Sequence, residues 1–192
     1  MSKETIKAAI IDCVESVNRH PQNAQLMYVA ETRLDAGMRA ISKVRDFPEM
    51  IVDEPPILGG TDQGMTPAEV VLSAMGTCQV VMYSAYATMM DIELSELKIT
   101  SYGDLDVQGM LAINDNICPG FTSISFEVHI ASPAGPEKIR DLIALAETHC
   151  PLLDTITRPV PVNSRTYLNG DLVNDMEAML PPIDKPQPLA SN

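Results

Sequence analysis

The stretch from residue 66 to residue 90 constrains the fold more than any other. Thr66-Pro67-Ala68-Glu69 is a capping box with proline at the first helical position, so a helix is predicted to start there. From Cys78, the neighbours on the same helical face are Val71, Ala74, Met75, Val81, Met82 and Ala85, all of them apolar. A helix apolar on nearly every side has to be buried, so residues 67–90 are predicted to form a central helix with other elements packed around it. One sheet cannot cover such a helix, and a stable homodimer with these helices at its core is expected. Gly76 lies two residues before Cys78, and a break at that glycine would place Cys78 near a new helix N-terminus.

Around this helix the pattern is mixed. Residues 3–19 read as a helix with Ile6, Ala9, Ile10, Cys13, Val14 and Val17 on one face, stopped by Pro21. Residues 26–34 and 38–47 read as a hairpin across Asp35-Ala36-Gly37, with Arg39, Ile41, Lys43 and Arg45 on one face of the second strand. Pro48 to Pro67 is a loop by composition, long enough to be functional or an ordered excursion. Residues 94–113, 121–131 and 160–168 read as strands, with Leu97, Ile99, Leu105 and Val107, and then Ile124, Phe126, Val128 and Ile130, alternating with polar neighbours. Residues 136–149 read as a helix from Pro136. Cys150-Pro151 either breaks it or starts a short helix through Ile156. Residues 170–180 read as weakly helical, and Pro181 to Asn192 as a mobile tail. The order is that of an α+β fold.

Charge narrows the function. With 13 Lys and Arg against 26 Asp and Glu, the net charge is −13, which argues against nucleic acid and anionic membranes as partners. There is no Trp, and aromatics make up 4%, too few for a base-stacking platform. No uninterrupted apolar run reaches the roughly 18 residues of a membrane span. Met1-Ser2-Lys3-Glu4 has an acid and leads into no apolar core with a cleavage site, so no signal peptide and a cytoplasmic location are expected. Cys13, Cys78, Cys118 and Cys150 are then thiols by default, and their spacing is not that of a CxxC zinc pattern.

Phosphate loops, GxSxG, HExxH and kinase signatures are absent, which leaves the cysteines. Cys78 is a nucleophile if a helix N-terminus lowers its pKa, and core filler otherwise. Cys150 precedes Pro151 and could face a helix N-terminus, with His149 beside it to move a proton; the plainer reading is a core cysteine at a helix end. Glu69 is the capping-box acid, or a polarising group. On one straight helix it lies about 13.5 Å from Cys78 along the axis and on the opposite face, so a cation such as Arg would have to bridge them. Met75, Met82, Met89 and Met90 read as core filler.

The run Leu58-Gly59-Gly60-Thr61-Asp62-Gln63-Gly64-Met65-Thr66-Pro67-Ala68-Glu69 and onward to Cys78 resembles the OsmC/Ohr family of osmotically inducible and organic hydroperoxide resistance proteins. There a Gly-Gly loop and a Pro-x-Glu helix lead to a first cysteine. His149-Cys150-Pro151 resembles the family's second motif, 72 residues after Cys78. The likeness covers about residues 26–168. It implies an OsmC-like domain over 26–169, with a helical extension over 1–25, a tail over 170–192, antiparallel sheets around the central helix, and an intertwined homodimer.

The resemblance further implies a thiol peroxidase. Cys78 would be oxidised by an organic hydroperoxide to a sulfenic acid, Cys150 would resolve it as a disulfide, and a lipoyl-type dithiol would reduce the pair, with no cofactor and no metal. A Glu and an Arg polarise the first cysteine in the best-studied branch; Glu69, Arg39 and Arg45 are the candidates here. In that branch the Glu directly follows the Pro, where this chain has Ala68. Two other readings stand beside the peroxidase: a non-catalytic protein binding a small apolar or thiol ligand, and a zinc site of Cys78, Cys150 and His149.

Overall fold

The structure, a computed structural model, describes residues 2–179. Helix α1 spans Lys3–Arg19, capped by the Ser2 side chain. A short 3-10 turn over Pro21–Ala24 leads to strands β1 (Glu31–Ala36), β2 (Arg39–Lys43) and β3 (Met50–Val52). Helix α2 spans Pro67–Met89. It is followed by β4 (Glu96–Leu105), the single-turn helix α3 (Val107–Met110), β5 (Phe121–Ala131), α4 (Pro136–Thr148), α5 (Pro151–Thr157), β6 (Val162–Leu168) and β7 (Asp171–Met179). The strands pair in three antiparallel groups, β1-β2-β3, β4-β5 and β6-β7.

Helix α2 starts as its sequence dictates. The Thr66 hydroxyl accepts from Glu69 N–H at 3.2 Å and the Glu69 carboxylate from Thr66 N–H at 2.7 Å. It then runs without a break through Gly76. The small residue there has a packing reason: a Cβ would stand 3.3 Å from Ser101 Oγ of β4, so glycine lets the strand approach. Met75, Gln79, Tyr83 and Ala87 form a buried stripe at intervals of one turn. Tyr83 and Ala87 pack with Ile92 and with Leu142 and Ala146 of α4, and the apolar face of the β4-β5 hairpin (Leu97, Ile99, Val128, Ile130) closes that core. The period-2 alternation predicted for these two strands is seen, in the register Leu97↔Ile130 and Ile99↔Val128.

All-round burial of α2 is not reached among the described residues. Ser73, Thr77, Val80, Val81 and Ser84 lie on its exposed face, with Val81 63% exposed. By length and hydropathy α2 could cross a membrane. Its capped start, and its packing against α4 and the β4-β5 hairpin, are those of a core helix.

Other expectations need correction. The first strand begins at Glu31 rather than at residue 26, because Lys43, which pairs with Glu31, is the last residue of β2 and nothing beyond it is left to pair with 26–30. Leu26, Met27, Tyr28 and Val29 are consequently exposed, between 59% and 89%. Arg45 lies beyond β2 with φ of 49°, so it does not continue the Arg39–Ile41–Lys43 face. The strand predicted over 94–113 ends at Leu105, where the Asp106 carboxylate accepts from Gln108 N–H and turns the chain into α3. Within residues 170–180, read as weakly helical, Asp171–Met179 instead form β7, paired with β6. The predicted tail from Pro181 lies outside the described residues.

The long loop before α2 is ordered. It contains β3 and a 3-10 turn at Pro56–Leu58, and one buried carboxylate ties the rest together. Asp53 accepts from Thr61 Oγ1 at 2.6 Å and from the N–H groups of Glu54, Thr61 and Gln63 at 2.9 to 3.2 Å. Those bonds, the Thr61 hydroxyl first, hold its pKa below the usual carboxylate value. Gly60 and Gly64 are required by close approach: a Cβ would fall 1.8 Å from the Glu54 carbonyl oxygen and 2.3 Å from that of Ile51. Gly60→Ala is therefore expected to destabilise the protein by about 1–3 kcal/mol, the usual cost of an overpacked site. Gly120→Ala, where nothing lies within 4 Å, should change little. Thermal denaturation of the two variants checks the contrast.

Candidate active site

Two segments distant in sequence bring the sulfurs together. Cys78 is in the middle of α2, partly buried, and Cys150 is the fully buried residue that precedes Pro151 at the start of α5. Their Sγ atoms are 3.6 Å apart, at the distance of an S–H···S contact. A disulfide bond is about 2.05 Å long, so closing it needs an approach of roughly 1.5 Å. Both cysteines are thiols here.

The helix N-terminus expected at Cys78 from a break at Gly76 is not found. Since α2 does not break at Gly76, Cys78 has no N-terminus of its own; its sulfur instead meets the backbone N–H of Leu152 in the first turn of α5. Burial is the largest influence on the Cys78 thiol and pushes its pKa up. The Leu152 N–H works in the opposite direction, and the neighbouring Cys150 thiol adds to the upward shift. Within one chain, then, Cys78 is a sheltered thiol held in the protonated form, next to a second thiol.

The remaining candidates are engaged elsewhere. Glu69 is exposed and occupied in the capping box. Arg39 pairs with Asp35 at 2.7 Å across its own hairpin, and the Arg45 guanidinium stacks 4.6 Å over the Phe47 ring. His149 Nδ1 is 3.0 Å from the Leu145 carbonyl oxygen, and its ring lies against Tyr86 with centroids 5.7 Å apart. No three His, Cys, Asp or Glu side chains are gathered closely enough to hold a metal among the described residues. The zinc reading therefore lacks a ligand set.

Three residues that sequence reasoning did not single out lie near the pair in sequence, within five positions of Cys78 or Cys150. Tyr83, fully buried, donates through its hydroxyl to Glu147 Oε1 at 3.0 Å; burial first, and then the Glu147 carboxylate, push the phenol pKa far upward. Gln79, next to Cys78, is fully buried with neither amide atom partnered. A buried polar residue inside an apolar helical run is the sequence signal that marks it. Tyr83 and Glu147 carry no such mark, since each alone is an ordinary residue for its helix.

An apolar cavity of about 290 Å³ opens beside these elements, lined by Met75, Phe121, Ile124, Phe126, Leu153 and Ile156 with Thr122, Ser123 and Thr157. Met75 is three residues before Cys78, and Leu153 follows the residue whose N–H meets the Cys78 sulfur.

The family model for OsmC-like proteins matches residues 60–165, more than half of the chain and inclusive of both cysteines. The chain belongs to the OsmC-like family. No curated protein matches it in sequence. Among solved structures, an OsmC-like protein from Mycoplasma pneumoniae is 18% identical, with a TM-score of 0.60 over 69% of this chain and 89% of the other. An organic hydroperoxide resistance protein from Elizabethkingia anophelis, solved with crystallant-derived thiocyanate bound, is 22% identical, with a TM-score of 0.51 over 70% and 91%. An organic hydroperoxide resistance protein OsmC from Legionella pneumophila is 18% identical, with a TM-score of 0.50 over 69% and 91%. These likenesses show the OsmC-like fold. Helix α1, strands β1, β2 and β3, and strand β7 lie outside the stretch that the family model matches.

The shared environment of the two thiols makes a measurable prediction. Cys150→Ala removes one of the influences that raise the Cys78 pKa and leaves burial in place. The pH midpoint of Cys78 alkylation, read by mass spectrometry, should move downward in the variant. A midpoint that stays put would show that Cys150 does not affect the Cys78 proton, and one that rises would show that Cys150 favours the thiolate.

Proposed function

We propose that this OsmC-like protein is a cysteine-based peroxidase for organic hydroperoxides. The 3.6 Å contact between Cys78 and Cys150 carries the reading. The Cys78 thiolate attacks the terminal peroxide oxygen; the O–O bond breaks, and the departing alkoxide takes a proton to leave as an alcohol. Cys78 is then a sulfenic acid. The Cys150 thiol attacks that sulfur, the S–S bond forms, and the oxygen leaves as water. A dithiol of lipoyl type exchanges with the disulfide, returning both thiols and becoming a disulfide itself. The apolar cavity beside α5 favours an alkyl or aryl peroxide over hydrogen peroxide.

The working form in this reading is a homodimer. An apolar groove of about 550 Å³ runs between α2 and β4, lined by Leu72, Gly76, Val80, Val81 and Ile99 among others, on the face that α2 leaves exposed. The bare residues 26–29 are a second surface that a partner copy would cover. Glu69, Arg39 and Arg45 polarise Cys78 in this reading only through assembly, since their contacts within one chain are elsewhere. The charge of −13 fits a protein with neither nucleic acid nor anionic membrane as partner, and the four thiols fit a cytoplasmic location.

A second reading, a non-catalytic protein that holds a small apolar or thiol ligand, draws on the raised Cys78 pKa, which slows a nucleophile. Peroxide consumption separates the two. With cumene hydroperoxide and dihydrolipoamide, the pure protein should turn over, Cys78→Ser should lose all peroxide-dependent thiol loss while staying folded, and Cys150→Ser should accumulate sulfenic and then sulfinic acid. Absence of turnover in the unmodified protein would favour the ligand-binding reading. Light scattering should give the mass of two chains. A value near the 20.9 kDa of one chain at micromolar concentration would refute the dimer.

A further inference from the structure

We propose that Tyr83 and Glu147 act as a positioning clamp for the cysteine pair, fixing the junction that carries Cys150 against the helix that carries Cys78. The proposal rests on the reading of the two cysteines as a redox pair. Tyr83 is five residues after Cys78 on α2, and Glu147 is three residues before Cys150 in the last turn of α4. The buried Tyr83 hydroxyl donates to Glu147 Oε1 at 3.0 Å, and the main-chain oxygen of the same Glu147 accepts the Cys150 N–H at 3.3 Å. One residue thus takes a hydrogen bond from α2 through its side chain and from Cys150 through its backbone.

The sulfurs themselves, 3.6 Å apart, make the second attachment of the junction to α2. Five residues of helix are about 7.5 Å, so the junction is held at two separated points along the α2 axis. Rotating or sliding the end of α4 away from α2 would stretch the Tyr83–Glu147 bond and the sulfur contact together. The raised pKa of Tyr83 keeps its hydroxyl a donor across the neutral range. Disulfide formation needs the sulfurs to close from 3.6 Å to about 2.05 Å, and a junction held in register meets that demand with less loss of freedom than a loose one. The clamp therefore favours the disulfide over the dithiol.

The test uses glutathione, so it does not depend on peroxide turnover. In the exchange, the dithiol gives two electrons and two protons to oxidised glutathione, the Cys78–Cys150 bond forms, and two molecules of reduced glutathione leave. Full-length protein is equilibrated at a series of glutathione ratios, quenched with acid, alkylated and counted by mass spectrometry. Tyr83→Phe and Glu147→Ala should each shift the equilibrium toward the dithiol by about three- to tenfold, the worth of one net hydrogen bond, and the double variant should go no further than either. Glu147→Gln keeps an accepting oxygen and should stay near the unmodified protein.

Ile143→Val, a core truncation on the same helix, reads the effect of lost stability alone and should leave the equilibrium unmoved. Should Tyr83→Phe fail to fold, Glu147→Ala and Glu147→Gln read the same bond from its accepting end. An equilibrium unchanged in the clamp variants, or shifted toward the disulfide, overturns the clamp alone. A protein that forms no Cys78–Cys150 disulfide at any ratio overturns the redox reading and the clamp with it.

Discussion

One-sided burial of α2 is the constraint from which the rest of the structure follows. Tyr83 and Ala87 of its buried stripe pack on Leu142 and Ala146 of α4 under the β4-β5 hairpin, and this packing sets where α4 comes to rest. Because α4 ends against α2, the residue that opens α5 meets the middle of α2, and Cys150 reaches Cys78 across 72 positions of sequence. The opposite face of α2 lacks cover from the described residues. That face mixes Ser73, Thr77 and Ser84 with Val80 and Val81, and its apolar part costs free energy in proportion to the area left in water.

The site separates two requirements that are easily conflated. Bringing two thiols together is done by packing and is complete within one chain. Making one of them a thiolate is an electrostatic task, and the chain by itself leans the other way, since burial outweighs the single Leu152 N–H. The candidate arginines are engaged elsewhere, Arg39 paired with Asp35 and Arg45 stacked on Phe47. Any assembly that recruits one of them must replace those contacts with better ones.

Much of this was legible in the residues. The capping box at Thr66, the alternation in 121–131 and the Cys150-Pro151 helix start each follow from local chemistry, and each is found in place. The two motifs also led to the family. What failed were inferences that needed tertiary knowledge. Gly76 looked like a break but is a point of close approach by Ser101, a relation no local window contains. Residues 26–30 have strand composition but no neighbouring strand to bond with, and composition cannot reveal that. Residues 171–179 form a strand because β6 precedes them across the Asn169-Gly170 turn, where both residues have positive φ. Tyr83 and Glu147 were invisible as a pair, since a hydrogen bond across 64 positions leaves no periodic trace.

The loop that delivers the chain to α2 hangs on one side chain. Asp53 alone accepts from the amides of Glu54, Thr61 and Gln63, so these three N–H groups have no independent protection from solvent. When that carboxylate lets go, all three are released in the same event. Their hydrogen-exchange rates should then report a single opening free energy, making the amides of Glu54, Thr61 and Gln63 one cooperative set although they are spread over ten residues.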